Sequence, residues 1–119
     1  MTRTRPREAG MVTAELAVAL PALILVLTLA LAAVASATDR VRCVDAARTG
    51  ARLLARGEPV EAVRRDVAKQ APDDARIVLD VGPEAVRVEV VADPPPLLRH
   101  LGVRARPRGV AHAVPESPS

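Results

Sequence analysis

The clearest pattern in the sequence is an apolar run near its start. No charged residue lies between Leu16 and Thr38, and Leu, Ala and Val dominate those 23 residues. A helix of this length rises about 34 Å, which is enough to cross a hydrocarbon core of about 30 Å. We therefore predict a transmembrane helix over residues 11–38. Pro21 removes one backbone hydrogen bond inside this span, so a kink is expected there.

After the apolar run the helical pattern becomes amphipathic. At about 100° per residue, the segment 39–57 separates an apolar side from a charged side. The apolar side holds Cys43, Val44, Ala47, Ala51 and Leu54, and the charged side holds Arg42, Asp45, Arg48, Arg52 and Arg56. We predict a helical stem that Gly57 and Pro59 end. Its charged side is more often a solvated face than a binding surface.

The pattern downstream predicts a small domain outside the membrane. A short helix is expected from Pro59 to Gln70, with Val60, Val63 and Val67 on one face. Residues 76–92 then alternate with period two around the turn "GPEA", which is typical of an antiparallel hairpin. Such a hairpin must pack on the stem, and the segment 103–113 is a candidate for a third strand.

Charge and composition argue against several functions. The chain has no Phe, Tyr or Trp, so a deep substrate pocket is not expected. Arg3, Arg5 and Arg7 against Glu8 supply +2 of the formal charge of +3, so the basic character belongs mainly to the first ten residues. A second cluster lies near the C-terminus and consists of Arg99, Arg104, Arg106 and Arg108. It has no aromatic residues on which bases could stack, and nucleic acid is therefore not an expected partner.

The residues that could carry catalysis do not form a recognisable set. His100 and His112 lie in an Arg- and Pro-rich region without the spacing of a metal site or a catalytic triad, so we expect no enzyme activity, no metal and no cofactor. Cys43 is the only cysteine. It is either a small buried apolar residue, which is the commoner case, or an intermolecular thiol.

The first forty residues fit two processing schemes. In the secretory scheme the apolar run is a signal peptide, and "ASA" at 35–37 precedes cleavage. A small secreted or tethered binding domain would then begin at Thr38. However, the run exceeds the 7 to 15 apolar residues typical of a signal peptide, and this scheme gives Glu15 no role.

The second scheme retains the helix. The segment "GMVTAELAVALPALILVL" resembles a type IV prepilin: a short basic leader ends in Gly10, and Glu15 is the fifth residue counted from Met11. In such proteins a membrane peptidase cuts after the Gly on the cytoplasmic side, and the apolar helix becomes the mature N-terminus. The resemblance implies that Glu15 pairs with the new amine of an adjacent subunit. An unpaired carboxylate would be costly in a membrane.

The stem sharpens this resemblance. Together with the helix, "CVDAARTGARLLARGE" is similar to the TadE family of tight-adherence (Flp) pilus systems, particularly short actinobacterial members. The family's stem element corresponds here to Ala46, Ala47, Arg48, Gly50, Ala51 and Arg52. Unlike the major Flp pilin, this chain has a sizeable domain after the helix, and unlike longer TadE relatives it lacks aromatic residues and a cysteine pair.

These observations combine into one expectation. We expect an α+β protein with a leader (1–10), a transmembrane helix (11–38), a stem (39–57), a small domain (58–113) and a disordered tail (114–119). The leader arginines favour a cytoplasmic N-terminus, although Arg40 to Arg56 on the other side weaken that rule. The resemblance implies a minor pilin or pseudopilin in the bacterial cytoplasmic membrane. Its implied partners are the prepilin peptidase, other pilin-like subunits and the pilus secretion machinery.

Overall fold

The computed structural model describes residues 6–116. Its elements, in chain order, are α1 (Pro6–Ala55), α2 (Val60–Gln70), β1 (Arg76–Val81), β2 (Val86–Val91), α3 (Pro96–His100) and β3 (Arg108–Ala113). A long N-terminal helix, a short helix and a three-stranded antiparallel sheet confirm the predicted α+β class. Arg3 and Arg5 of the predicted leader, and residues 117–119 of the predicted tail, lie outside the described residues.

Helix α1 joins the apolar run to the stem without interruption. Its 50 residues correspond to a rise of about 75 Å, which accounts for most of the 88 Å length of the molecule. It begins five residues before Met11 and continues through Pro21. The helix ends as the sequence indicates: Gly57 has a φ of 84°, its amide donates to the carbonyl of Leu54, and the amide of Glu58 donates to that of Leu53. This is the Schellman arrangement, in which glycine accepts the left-handed conformation.

The sheet confirms the predicted hairpin and the candidate third strand. Strands β1 and β2 pair from Arg76↔Val91 to Val81↔Val86, and β3 pairs with the other edge of β2. The third strand begins at Arg108, later than the candidate segment 103–113. Helix α3 has no counterpart among the predicted elements. Its first residue is the last of three consecutive prolines, and proline is well suited to the first position of a helix because its φ is already helical.

The core lies between one face of the sheet and the two longer helices. The buried side chains include Val63 and Val67 of α2, Val86, Val88 and Val90 of β2, and Cys43, Ala46, Ala47, Ala51 and Leu54 of α1. The alternation of buried valines on β2 is the predicted one. Of the three valines predicted on one face of α2, Val63 and Val67 are buried, whereas Val60 is 41% exposed. It lies in the first turn of α2, next to the turn where α1 has already ended, so the stem does not cover it.

The sheet approaches α1 closely because both surfaces carry small residues at the contact. A Cβ atom on Gly50 of α1 would lie 2.7 Å from a methyl of Val67 and 3.2 Å from a methyl of Val88. A Cβ atom on Gly109 of β3 would lie 2.5 Å from the carbonyl oxygen of Cys43. Cβ atoms do not come this close to other heavy atoms, so glycine at these two positions allows α1 to approach α2 and the sheet closely.

Polar contacts hold the outer elements to this core. The guanidinium of Arg42 donates to the carbonyl oxygen of Ala71 at 3.1 Å and so satisfies a carbonyl just after α2. Arg64 of α2 donates to the carbonyl of Ile77 on β1 at 3.1 Å. Asp45, three residues from both Arg42 and Arg48, forms an ion pair with neither arginine in the described part of the chain. Arg42 instead contacts the C-terminal end of α2.

Candidate functional site

The N-terminal part of α1 exposes a large apolar surface. We call residues 11–31 the apolar segment. Val18, Leu23 and Ile24 in it are 73%, 64% and 63% exposed, and none of its side chains is buried against the rest of the described chain. A surface of this size marks a membrane or protein contact. By length and composition, α1 is able to cross a membrane.

Glu15 is the one acid on the apolar segment, and it lacks a partner within residues 6–116. The other polar side chains of the segment are Thr13 and Thr28, and their hydroxyls donate to the carbonyls of Ala9 and Ile24 at 3.0 and 2.7 Å. The described chain offers Glu15 neither an ion pair nor a side-chain hydrogen bond. Its carboxylate is therefore available to a group outside residues 6–116.

Gly10 and Met11 lie about one helical turn before Glu15. Both are exposed, and apart from the adjoining backbone of α1 no described heavy atom lies within 4 Å of the position that a Cβ atom on Gly10 would take. The peptide bond between them is thus not covered by the domain. Glu15 is five positions after Gly10 in the helix, a rise of about 7.5 Å. The three predicted site residues are brought to one end of α1, far from the sheet.

The predicted stem element has a buried side and an exposed side. Ala46, Ala47, Gly50 and Ala51 are buried where α1 meets the sheet and α2, whereas Arg48 and Arg52 are exposed. These small residues, Gly50 above all, allow α2 and the sheet to approach α1 closely. Sequence reasoning placed Ala47 and Ala51 on the apolar side but did not single out the packing role of Gly50. The one feature of the sequence that could have indicated this role is a lone glycine within a helical pattern.

Cys43 is fully buried, as the commoner interpretation predicted. Its thiol lies 3.7 Å from the carbonyl oxygen of Pro107, the residue directly before β3. Burial raises the pKa of the Cys43 thiol, and the nearby charge of Asp39 raises it further. An intermolecular disulfide would require this side chain to leave the core, so the structure contradicts that alternative.

The histidines do not gather into a metal-binding set. His100 ends α3 and His112 lies on β3, and both are exposed. In the part of the chain that the structure describes, no group of three or more His, Cys, Asp or Glu side chains is arranged to hold a metal ion.

Three of the four C-terminal arginines lie around one shallow groove. Arg99, Arg104 and Arg106 line it together with Gly102 and Val103. Arg108 is separate, because its guanidinium contacts the carboxylate of Glu89 at 2.9 Å. The cluster predicted from the sequence is therefore present for three arginines, and Arg108 lies apart from it.

Comparison with known proteins gives a limited result. No family model and no solved structure matches the chain. A protein of Mycobacterium tuberculosis named "Apoptosis inhibitor Rv3655c" is 43% identical over 79 residues, which is 66% of this chain and 54% of that protein. The chain therefore spans about half the length of the curated relative that it matches.

Proposed function

We propose that this protein is a structural, membrane-anchored subunit of a pilus system, a minor pilin or pseudopilin of the TadE type. The apolar segment would cross the bacterial cytoplasmic membrane once, with the N-terminus in the cytoplasm and the sheet outside. The prepilin peptidase would cut between Gly10 and Met11. The observation that carries the proposal is Glu15, an exposed acid without a partner in the described chain, on an exposed apolar helix.

The energetics of Glu15 support assembly with other helices. A carboxylate on a membrane helix costs a few kcal/mol near the bilayer centre and less near the interface, and it is usually paired. After cleavage, the amine of Met11 on an adjacent subunit would supply the missing positive charge. The same pairing would fix the axial offset between neighbouring helices, because each subunit contributes one amine and one carboxylate.

The packing of α1 supports a retained helix over the alternative of a domain released after Ala37. Four residues of α1 are less exposed than their neighbours and follow helical spacing toward Cys43, namely Leu29, Ala32, Ser36 and Asp39. They lie on the same side of α1 as Cys43, which is the side that faces the domain. Cleavage after Ala37 would remove the first three of them. This continuity favours a helix that stays with the domain.

The name of the mycobacterial relative describes inhibition of apoptosis. Because this chain spans about half of that protein, we base the proposal on Glu15 and the apolar segment. The relative's name does not bear on the pilus interpretation.

The proposal predicts where the protein accumulates in its native host. Carrying a C-terminal epitope tag, the protein is expected in the surface fraction that shearing releases, together with other pilin-like subunits. A host without its prepilin peptidase should retain the protein in the membrane and lose it from that fraction. Recovery of the domain alone from the medium, independent of the peptidase, would support the released binding domain instead.

A further inference from the structure

The domain contacts α1 at three points along the length of the helix. At one end, the amide of Glu116 donates to the carbonyl of Ala55 at 2.8 Å. In the middle, Gly109 meets the backbone of Cys43. At the other end, residues 105–108 line a groove with Ser36 and Arg40 of α1. Strand β3 therefore runs along the stem. The segment before it, residues 105–107, lies beside α1 near Ser36, close to the C-terminal end of the uncharged run 16–38.

This geometry places the arginine groove at the level where the membrane should end. Arg106 lines both the groove with Arg99 and Arg104 and the second groove beside α1. A guanidinium is costly in hydrocarbon, so the hydrocarbon core must stop short of this segment. A span of about 20 residues that ends at Ala32 would begin at Thr13. The arginines would then lie at the depth of the lipid headgroups.

The same part of the domain exposes apolar side chains. Leu101, in the loop after α3, is 57% exposed, and Val103 is also exposed in the lining of the arginine groove. Arginines beside exposed aliphatic side chains are typical of a surface that rests on a membrane interface. Asp93 is the one acid in the groove lining, so positive charge is in excess there. Among residues 6–116, the three arginines of the groove form no ion pairs.

We propose that Arg99, Arg104 and Arg106, with Leu101 and Val103, form a docking surface for anionic phospholipid headgroups of the membrane in which α1 is anchored. This inference rests on the proposed function, because it requires α1 to span the bilayer. Contact at a second point would fix the tilt of the domain. The surface potential of an anionic membrane attracts each basic residue near it, and the three arginines act together.

The test uses the full chain reconstituted into vesicles of phosphatidylcholine, with or without phosphatidylglycerol. Cys43→Ala removes the native thiol, and Leu101→Cys carries a polarity-sensitive fluorophore. We expect a blue-shifted emission in the anionic vesicles relative to the neutral ones. The shift should shrink between about 0.1 M and 1 M salt, as the Debye length falls from about 10 Å to about 3 Å. A label at Val81→Cys, which lies with Ala55 at the far end of the domain, should not respond to lipid charge.

Matched charge changes identify the surface. Replacing Arg99, Arg104 and Arg106 by glutamine should abolish the lipid-dependent shift at position 101. The same replacement at Arg48, Arg52 and Arg56 removes equal charge from the exposed side of the stem and should preserve the shift. Equal emission in both vesicle types, or an equal loss in both triple variants, would overturn the docking surface.

Flotation with the vesicles tests the anchor separately. The wild type and both triple variants should float with neutral vesicles and resist carbonate extraction, because α1 anchors all of them. A chain that floats without any lipid-dependent shift contradicts only the docking surface. A chain that does not associate with neutral vesicles contradicts the membrane anchor, and with it the proposed function.

Discussion

Gly109→Ala is expected to destabilise the folded domain by about 3 kcal/mol, at the upper end of the usual cost of adding a methyl group to a packed core. The new Cβ atom would meet backbone atoms of Cys43 and Val44, not the end of a flexible side chain. Backbone atoms of a helix cannot rotate away, so β3 would have to move off α1. Because β3 is paired with β2, the movement would disturb the buried valines as well.

The single thiol provides the measurement of this effect. Cys43 is buried in the native protein, so its labelling in detergent micelles as urea increases reports opening of the domain. Gly109→Ala should lower the urea midpoint markedly. Val110→Thr, a replacement of similar shape at the exposed neighbouring position of the same strand, should leave the midpoint almost unchanged. An unchanged midpoint in Gly109→Ala would show that the helix and sheet are not in close contact.

Glu15→Gln is expected to reduce association with partner subunits roughly thirty-fold. That factor corresponds to about 2 kcal/mol for a hydrogen bond that involves charged groups. Glutamine retains the size of the side chain and removes the charge that, under the proposal, would attract the amine of Met11 on an adjacent subunit. Glu15→Asp keeps the charge on a side chain one methylene shorter, and we expect it to lose less association than Glu15→Gln.

Processing and assembly must be measured separately for these variants. Each should be cleaved as the wild type is and then be depleted from the sheared surface fraction in proportion to its loss of association. Thr28→Val is the matched control, because it removes a polar group of the apolar segment that the carbonyl of Ile24 already satisfies. Normal incorporation of Glu15→Gln, or equal depletion of the Thr28→Val variant, would count against a pairing role for Glu15.

Much of the fold could be predicted because the sequence changes its hydrophobic period at each element. The apolar run, the amphipathic stem and the alternation in β2 each bury or expose the residues that their period indicates. The end of the stem was also predictable, since Gly57 and Pro59 are local signals that act within one turn. These features depend on residues close together in the chain.

The features that were missed depend on contacts between distant segments. Arg42 looks like one more charge on a solvated face until α2 brings the carbonyl of Ala71 to it. Val60 follows its helical period but lies where the stem no longer covers it. Gly50 and Gly109 carry no periodic signal, because their role is set by the distance between helix and sheet. The position of Arg106 beside Ser36 and Arg40 of α1 likewise follows only from the tertiary structure.

The residues of the candidate site could be predicted from the sequence, but their exposure and contacts could be seen only in the structure. Gly10, Met11 and Glu15 were identified by their spacing and by resemblance to prepilins. The structure adds that they lie on an exposed helix and that Glu15 lacks a partner among the described residues. The partner of Glu15 is expected to be a group on another chain, so a single molecule cannot display the completed pair.

The N-terminus of the mature protein in its native host tests the central claim most directly. Intact mass, supported by N-terminal sequencing of the membrane and surface fractions, identifies the bond that is cut. We predict a mature chain that begins at Met11 and retains the whole apolar segment. A mature chain that begins at Thr38 would contradict the account, because neither Glu15 nor the helix that carries it would remain in the protein.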